Sequence, residues 1–384
     1  MEELPFCGGS SSFSVPAPQG RNVYFGGNLM RIRALADALP SHADGWLITS
    51  ESNIFYFTGF PCDAAVLVVT RTGSVFFTDS RYLEAAERTV KGAEICDSAQ
   101  FAEAFPAFCR SRGVRKLLTE TSALTVRAAQ RYASLVPETQ LLYEDDLALL
   151  SQFRRKKDAQ EAAKIERAQR IAEAAFEAIL PMVQVGRTEK EIALELDYAM
   201  LHGGADALSF QTIVVSGENS SLPHGVPGER KLRDGDFITF DFGAVTQGYH
   251  SDMTRTVALG HVSETQKLVY ETVLFAQQSA LTALRPGMTC KQADAVARDI
   301  IAGAGFGHAF GHGTGHGVGV EIHERPNLSP LSRETLAVGD VVTVEPGIYL
   351  RGQFGVRIED MVQITEDGCR NFTKTDKALR ILPV

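Results

Sequence analysis

No stretch of this chain approaches the ~18 consecutive apolar residues that a membrane span requires, so no membrane partner is expected. Its start, MEELPFCGGSSSFSVPAPQG, carries acids where a secretory signal carries Lys or Arg, and no apolar core follows. The six cysteines, at 7, 62, 96, 109, 290 and 369, are scattered and form no CxxC pair. In a chain of this length that predicts reduced thiols and a cytoplasmic setting rather than a disulfide frame. A dense Lys/Arg stripe is also missing, and the formal charge is -9, which argues against a nucleic-acid partner. The one basic run, Arg154-Arg155-Lys156-Lys157, lies among helix formers and reads as a solvated helix start. GxxxxGK(S/T) and a strand–GxGxxG–helix context are absent, which excludes the common phosphate cradles; HExxH is absent, which excludes a zincin helix.

What is present is length enough for two or three domains, 384 residues, with an ordinary 44% of hydrophobic residues. Residues 1–28 read as a flexible Gly/Ser/Pro-rich arm. Over 29–150, β-rich runs such as AAVLVVT (64–70) and GSVFFTD (73–79) alternate with helical ones such as YLEAAERTV (82–90), an α/β pattern. Over 151–384 the order of elements repeats. Helices near 154–180 and 188–203 precede strands over 210–259; helices near 264–284 and 291–302 precede strands over 316–364. Capping boxes mark three of the starts: Thr188 with Glu191, Ser263 with Gln266, and Thr289 with Gln292. The expectation is an α+β domain of two pseudo-symmetric halves, with a site between them.

Each half carries a hairpin with paired acids. In DFITFDFGAVTQGYHSDMTRTVAL, Ile238, Phe240 and Phe242 take one face while Thr239 and Asp241 take the other. Folding about Thr246-Gln247-Gly248 sets Asp241 opposite Asp252. In the second half, VVTVEPGIYL and GVRIEDMVQI fold about Gly352 and set Glu345 opposite Glu359, with Arg357 on the face of Glu359 and Asp360 pointing away. Like charges directly opposed on a sheet are destabilising. Two such pairs are an improbable arrangement unless cations lie between them.

The segment GHGTGHGVGVEIHERP (311–326) offers nitrogen ligands, at His312, His316 and His323, with His308 just upstream. His316 and His323 are seven residues apart, and in a regular strand they would face opposite ways. A bend at Gly317 or Gly319 is needed to bring both to one site.

Five segments, LPHGVP (222–227), DFGAVTQGYHSDMTRT, GHGTGHGVGVEIHE, VEPGIY (344–349) and GVRIED (355–360), together resemble the pita-bread metallopeptidases. Within these the chain is most similar to the Xaa-Pro peptidases, aminopeptidase P and prolidase. SNIFYFTGF (52–60) and TDSRYLEAAE (78–87) resemble the creatinase-like N-terminal domain of that group. The resemblance implies a creatinase-like domain over 29–150 and a pita-bread catalytic domain over 151–384. It further implies two divalent metal ions held by Asp241, Asp252, His316, Glu345 and Glu359. Four carboxylates and one imidazole are mostly hard donors, which suits Mn²⁺ first, with Co²⁺ or Zn²⁺ as alternatives. By the same resemblance Glu345 also relays a proton, His323 steadies the oxyanion and His224 stands near the substrate carbonyl or the leaving imide. His312 and Arg357 support the site from outside, with Arg357 orienting Glu359. His250 and His308 match no functional position.

The implied substrates are peptides with proline second, and the implied assembly is a homodimer. Many prolidases carry an arginine four residues after the second histidine, where it helps hold a dipeptide's carboxylate; here that position is Asn327, with Arg325 two positions early. That favours an Xaa-Pro aminopeptidase, with Xaa-Pro dipeptidase as the alternative. A non-catalytic peptide-binding module of the same fold is the remoter alternative, set against by the full ligand set.

Overall fold

The computed structural model describes residues 28–144 and 146–384. The arm expected over 1–28, and Cys7 with it, lies outside the described residues except for Asn28. The chain divides into two units, one ending at Phe153 and the other beginning at Arg154.

The first unit contains α1 (Asn28–Asp37), β1 (Gly45–Ile48), α2 (Glu51–Thr58), β2 (Ala65–Thr70), β3 (Gly73–Thr78), α3 (Leu83–Thr89), β4 (Glu94–Asp97), α4 (Phe101–Ser111), β5 (Lys116–Thr119), α5 (Val126–Leu135) and β6 (Gln140–Leu142), and then α6 (Asp146–Arg155), which runs across the boundary. Its strands form one mixed sheet in the order β4-β3-β2-β1-β5-β6. The sheet's apolar face, including Leu47, Val68, Phe77 and Leu117, is closed by Phe101, Phe105 and Phe108 of α4.

In the second unit, helices α7 (Ala159–Ile179) and α8 (Glu189–His202) precede β7 (Ala207–Leu208), β8 (Ile213–Ser216), β9 (Phe237–Phe242), β10 (Ala244–Thr246), β11 (Tyr249–His250) and β12 (Met253–Leu259). Helices α9 (Glu264–Ala283) and α10 (Cys290–Gly303) then precede β13 (Gly315–Gly317), β14 (Glu324–Leu328), β15 (Val341–Val344), β16 (Gly347–Leu350), β17 (Phe354–Arg357), β18 (Asp360–Ile364), β19 (Cys369–Asn371) and β20 (Ile381–Leu382). All three expected capping boxes form, and a fourth, Asp158 with Glu161, starts α7. Ile238, Phe240 and Phe242 pack under α7 and α8 with Phe176 and Leu196. Val342, Val344, Val356 and Val362 pack under α9 and α10 with Val273, Ala276 and Ala297. Each half therefore buries its sheet beneath its own helix pair.

The register of the first hairpin differs from the expected one. Asp241 is paired with Thr254 and Phe242 with Met253, so Asp252 is not directly opposite Asp241. The turn is Gln247-Gly248, with φ of 49° and 75°, a two-residue reversal in the left-handed region that suits a hairpin's twist. Its centre falls one residue later than the centre assumed from the sequence, which slides the pairing by two residues. A slide of two preserves the face, so Asp252 and Asp241 remain diagonal neighbours on one side of the sheet.

The second hairpin keeps the expected register but is broken where the acids stand. Val344 pairs with Asp360 in the five-stranded sheet, and Gly347 with Arg357 in a separate two-stranded ribbon. Glu345 and Glu359 face each other across that break. Pro346 has no N–H to give the ladder at this point. The freed backbone is used to tie in the rest of the site: Glu345 N donates to Thr314 O (2.8 Å) and Glu359 N to Thr254 O (3.1 Å).

The basic run is not solvated. Arg154 and Lys157 are 8% and 6% exposed, and Arg155 donates twice to Asp340 at 2.7 Å, leaving only Lys156 exposed. Buried acids of the second unit are the reason, because an unpaired buried carboxylate is costly. The cysteines among the described residues are free thiols, and no described helix is long and apolar enough to cross a membrane.

Candidate metal centre

Four acids and one imidazole, carried on or beside five separate strands, line one cavity of about 600 Å³. Asp241 is at the end of β9, Asp252 just before β12, His316 inside β13, Glu345 just after β15 and Glu359 just before β18. The cavity wall also holds His224, His312, His323 and Arg357. Every site residue singled out from the sequence is thus brought to this place, while His308 is exposed elsewhere and His250 is bound to Ser209 (3.2 Å).

Backbone requirements explain the glycines around His316. A side chain on Gly315 would sit 2.0 Å from Thr343 O, and one on Gly317 would sit 2.4 Å from Arg325 O. Only glycine lets β13 pass so close to β15 and β14. The β13–β14 pairing is irregular between Gly315 and Gly317, and the chain then loops until Glu324. That loop resolves the odd spacing, because it brings the His323 ring to 4.3 Å from the His316 ring.

At the centre, Asp252, His316 and Glu359 each present an atom within 4.8 Å of the others. His316 Nε2 lies 3.4 Å from Asp252 Oδ2 and 3.5 Å from Glu345 Oε1. His316 Nδ1 faces Gly317 O at 3.0 Å; a carbonyl can only accept, so Nδ1 carries the hydrogen and Nε2 is left for a ligand. Thr343 Oγ1 accepts from His316 N (3.0 Å) and donates to Glu345 (3.2 Å).

Without a cation this cluster is electrostatically unfavourable. Burial, opposed by His316 but reinforced by Asp241 and Glu345, lifts Asp252 to about 7. Burial and then the charges of Asp252, Glu345 and Asp241 push Glu359 well above the carboxylate range. Burial also raises Asp241, against the pull of Arg357. Burial disfavours a charged His316, yet Asp252 and Glu345 outweigh it and hold the imidazole at about 9. Two carboxylate oxygens, Asp241 Oδ1 and Glu359 Oε1, are buried with no hydrogen-bond partner among the described residues. Orphaned carboxylate oxygens beside an imidazole whose Nε2 points in among the acids fit divalent cations, as such groups do not persist buried and uncompensated.

The resemblance has Arg357 orienting Glu359, but the structure gives it no direct bond to that carboxylate. Its Nη2 donates to Asp241 Oδ2 at 2.5 Å, and it reaches Glu359 only through Thr254, whose Oγ1 accepts from Arg357 Nε (3.0 Å) and donates to Glu359 Oε2 (2.7 Å). The two-residue register slide is the cause, since it puts Thr254 rather than Asp252 opposite Asp241. Tyr349 Oη accepts from Arg357 Nη1 (2.9 Å) and stands 2.9 Å from His312 Nε2. His312 Nδ1 faces Gly313 O (2.8 Å), so Tyr349 is the donor to Nε2. Thr254, Thr343 and Tyr349 were not singled out from the sequence. Alternation could have found them: Thr254 follows Asp252 by two, Thr343 precedes Glu345 by two, and Tyr349 shares a face with the partner of Arg357.

Residues 163–366 match the metallopeptidase family M24, and residues 31–155 match the creatinase/prolidase N-terminal domain. The chain is 35% identical over 345 residues to an Xaa-Pro dipeptidase of Pyrococcus furiosus, covering 88% of this chain and 95% of the relative. Among solved structures it is similar to an Xaa-Pro dipeptidase from Bacillus anthracis, with 39% identity, a TM-score of 0.88 and coverage of 92% and 99%. It is also similar to an X-Pro aminopeptidase from Thermotoga maritima, with 34% identity, a TM-score of 0.83 and coverage of 88% and 98%. With the paired carboxylates, the histidine-bearing loop and the mirrored halves in place, the chain belongs to the metallopeptidase family M24, as a pita-bread metallopeptidase with a creatinase-like N-terminal domain.

Proposed function

We propose that this enzyme hydrolyses the bond between a residue and a following proline, in dipeptides first, with 29–150 as its N-terminal domain and 151–384 as its catalytic domain. The observation that carries the reading is the meeting of Asp241, Asp252, His316, Glu345 and Glu359 on one cavity wall. These five would hold two divalent ions, Mn²⁺ first and Co²⁺ or Zn²⁺ otherwise. When bound, such a pair supplies Lewis acidity and a water activated near neutral pH. The chain's own residues supply the rest. Glu345 takes and returns a proton beside His316. His323, exposed on the wall next to His316, donates to the oxygen that gains charge as the carbonyl is attacked. His224, on its exposed loop, stands ready for the substrate carbonyl or the leaving imide.

Two of the similar proteins described above are named dipeptidases, and they move the preferred substrate from the longer peptides expected from Asn327 to Xaa-Pro dipeptides. The aminopeptidase reading keeps one observation in its favour. Asn327 lines the cavity and Arg325 does not, while the guanidinium that does, Arg357, is committed to Asp241. Steady-state rates on Ala-Pro and Ala-Pro-Gly-Gly, with Mn²⁺, Co²⁺ and Zn²⁺ added in turn, decide. Faster cleavage of Ala-Pro supports the dipeptidase; cleavage confined to the tetrapeptide overturns it in favour of the aminopeptidase. Inactivity on both with peptide still bound favours the non-catalytic module. A homodimer belongs to the same proposal, to be read by sedimentation.

A further inference from the structure

A second buried charge cluster stands outside the metal ligands, and the proposed mechanism makes no use of it. Glu324, 7% exposed, receives Lys157 Nζ at 2.9 Å on Oε2 and Arg154 Nη2 at 2.9 Å on Oε1. The same Oε1 accepts from two backbone amides, Val320 N at 3.0 Å and Glu321 N at 3.1 Å. Arg154 also pairs with Glu321. Burial works against the charge on Glu324, yet Lys157 and Arg154 hold its pKa below the usual carboxylate range.

All these bonds act on one short loop. It leaves β13 after Gly317 and re-enters the sheet at Glu324, and it carries Ile322 and His323 into the cavity wall. From the other side, His250 N holds Gly319 O at 2.9 Å. A side chain on Gly319 would lie 2.5 Å from Glu324 Oε2, so the carboxylate fills the space inside the turn. Neither Glu324, Lys157 nor Arg154 lines the cavity. Both buried cations reach this carboxylate, which also collects two loop amides, so the cluster ties down the loop as well as the strand end. The basic run that seemed a solvated helix start thus supplies the two cations.

We infer that Glu324, clamped by Lys157 and Arg154, is a positioning residue that fixes the loop over 318–323 so that His323 stands beside His316 at the reacting carbonyl. The inference rests on the role proposed for His323. A misplacement of about 1 Å at a reacting group costs up to about a hundredfold in rate, so loosening the clamp acts on kcat rather than on metal or on ground-state binding.

The test is a double-mutant cycle on the metal-loaded full chain, with Glu324→Gln, His323→Ala and the pair, reading kcat, KM, bound metal and thermal midpoint. Expected are a fall in kcat of about tenfold to a hundredfold in E324Q, KM within about threefold, bound metal unchanged, and no further loss when E324Q is added to H323A. Lys157→Met repeats the cycle should E324Q not fold; Lys157→Arg restores most of kcat, and Lys156→Met, at the exposed neighbour, changes nothing. An unimpaired H323A overturns the role of His323 and the inference with it. An impaired H323A with an additive or silent E324Q, or an E324Q that loses metal, overturns the positioning role alone.

Discussion

Arg357 donates to Asp241 at 2.5 Å and, through Thr254, to the side chain that holds Glu359, so one guanidinium governs an acid from each half of the domain. Both acids also keep one buried oxygen without a hydrogen-bond partner among the described residues, Asp241 Oδ1 and Glu359 Oε1. The arrangement satisfies one oxygen of each carboxylate with protein and leaves the other for a cation.

Replacing Arg357 by Met should therefore weaken metal binding by about tenfold to a hundredfold, the usual cost of losing an outer partner. Titration of the metal-free variant with Mn²⁺ by calorimetry reads this directly. Unchanged affinity would detach Arg357 from the site.

Thr254 links Arg357 to Glu359, and Thr254→Val keeps its shape while removing both side-chain hydrogen bonds. The variant should lose about 1–3 kcal/mol of stability, since Glu359 then has a buried oxygen without its donor. Urea unfolding of the metal-free protein measures the loss, and a change below about 0.5 kcal/mol would contradict the role.

Tyr349, whose burial pushes its pKa up to about 12, stays a neutral donor to His312 across the working pH range. Tyr349→Phe should lower kcat by about tenfold while bound metal and the fold persist. Wild-type kcat would show that the His312–Tyr349 bond does not matter to turnover.

The metal-free protein should lose stability as pH rises. Folded Asp252 titrates at about 7 against an ordinary 3.8, and folded His316 at about 9 against an ordinary 6.5. Both pKa values are raised on folding, so from about pH 4 to about pH 9 the folded state holds protons that the unfolded chain has released, and stability falls across that window. Saturating Mn²⁺, which replaces those protons, should flatten the slope. Thermal midpoints of metal-free and metal-loaded protein from about pH 5 to 8 check the sign; a metal-free midpoint that climbs with pH would contradict it.

Much of this centre was legible in the sequence because strands alternate with a period of two. Alternation, together with the place of each turn, puts Asp241 with Asp252, and Glu345 with Glu359, on shared faces. It survives the shifted Gln247-Gly248 turn because a slide of two residues leaves faces unchanged. The direct partner of Asp241 was not legible for the same reason, as it depends on which residue enters the left-handed region. His323 depends on an irregular loop, which has no period to read. Arg154 and Lys157 look like surface cations in sequence; the acid that buries them, Glu324, lies 170 and 167 positions away.

On the proposed reading, bound divalent ions hold these acids together and the reaction needs them. Asp252→Asn, assayed on Ala-Pro for turnover and by elemental analysis for bound metal, tests it most directly. Turnover should fall below about 1% of wild type, together with reduced metal per chain. Full metal content with undiminished turnover would contradict it.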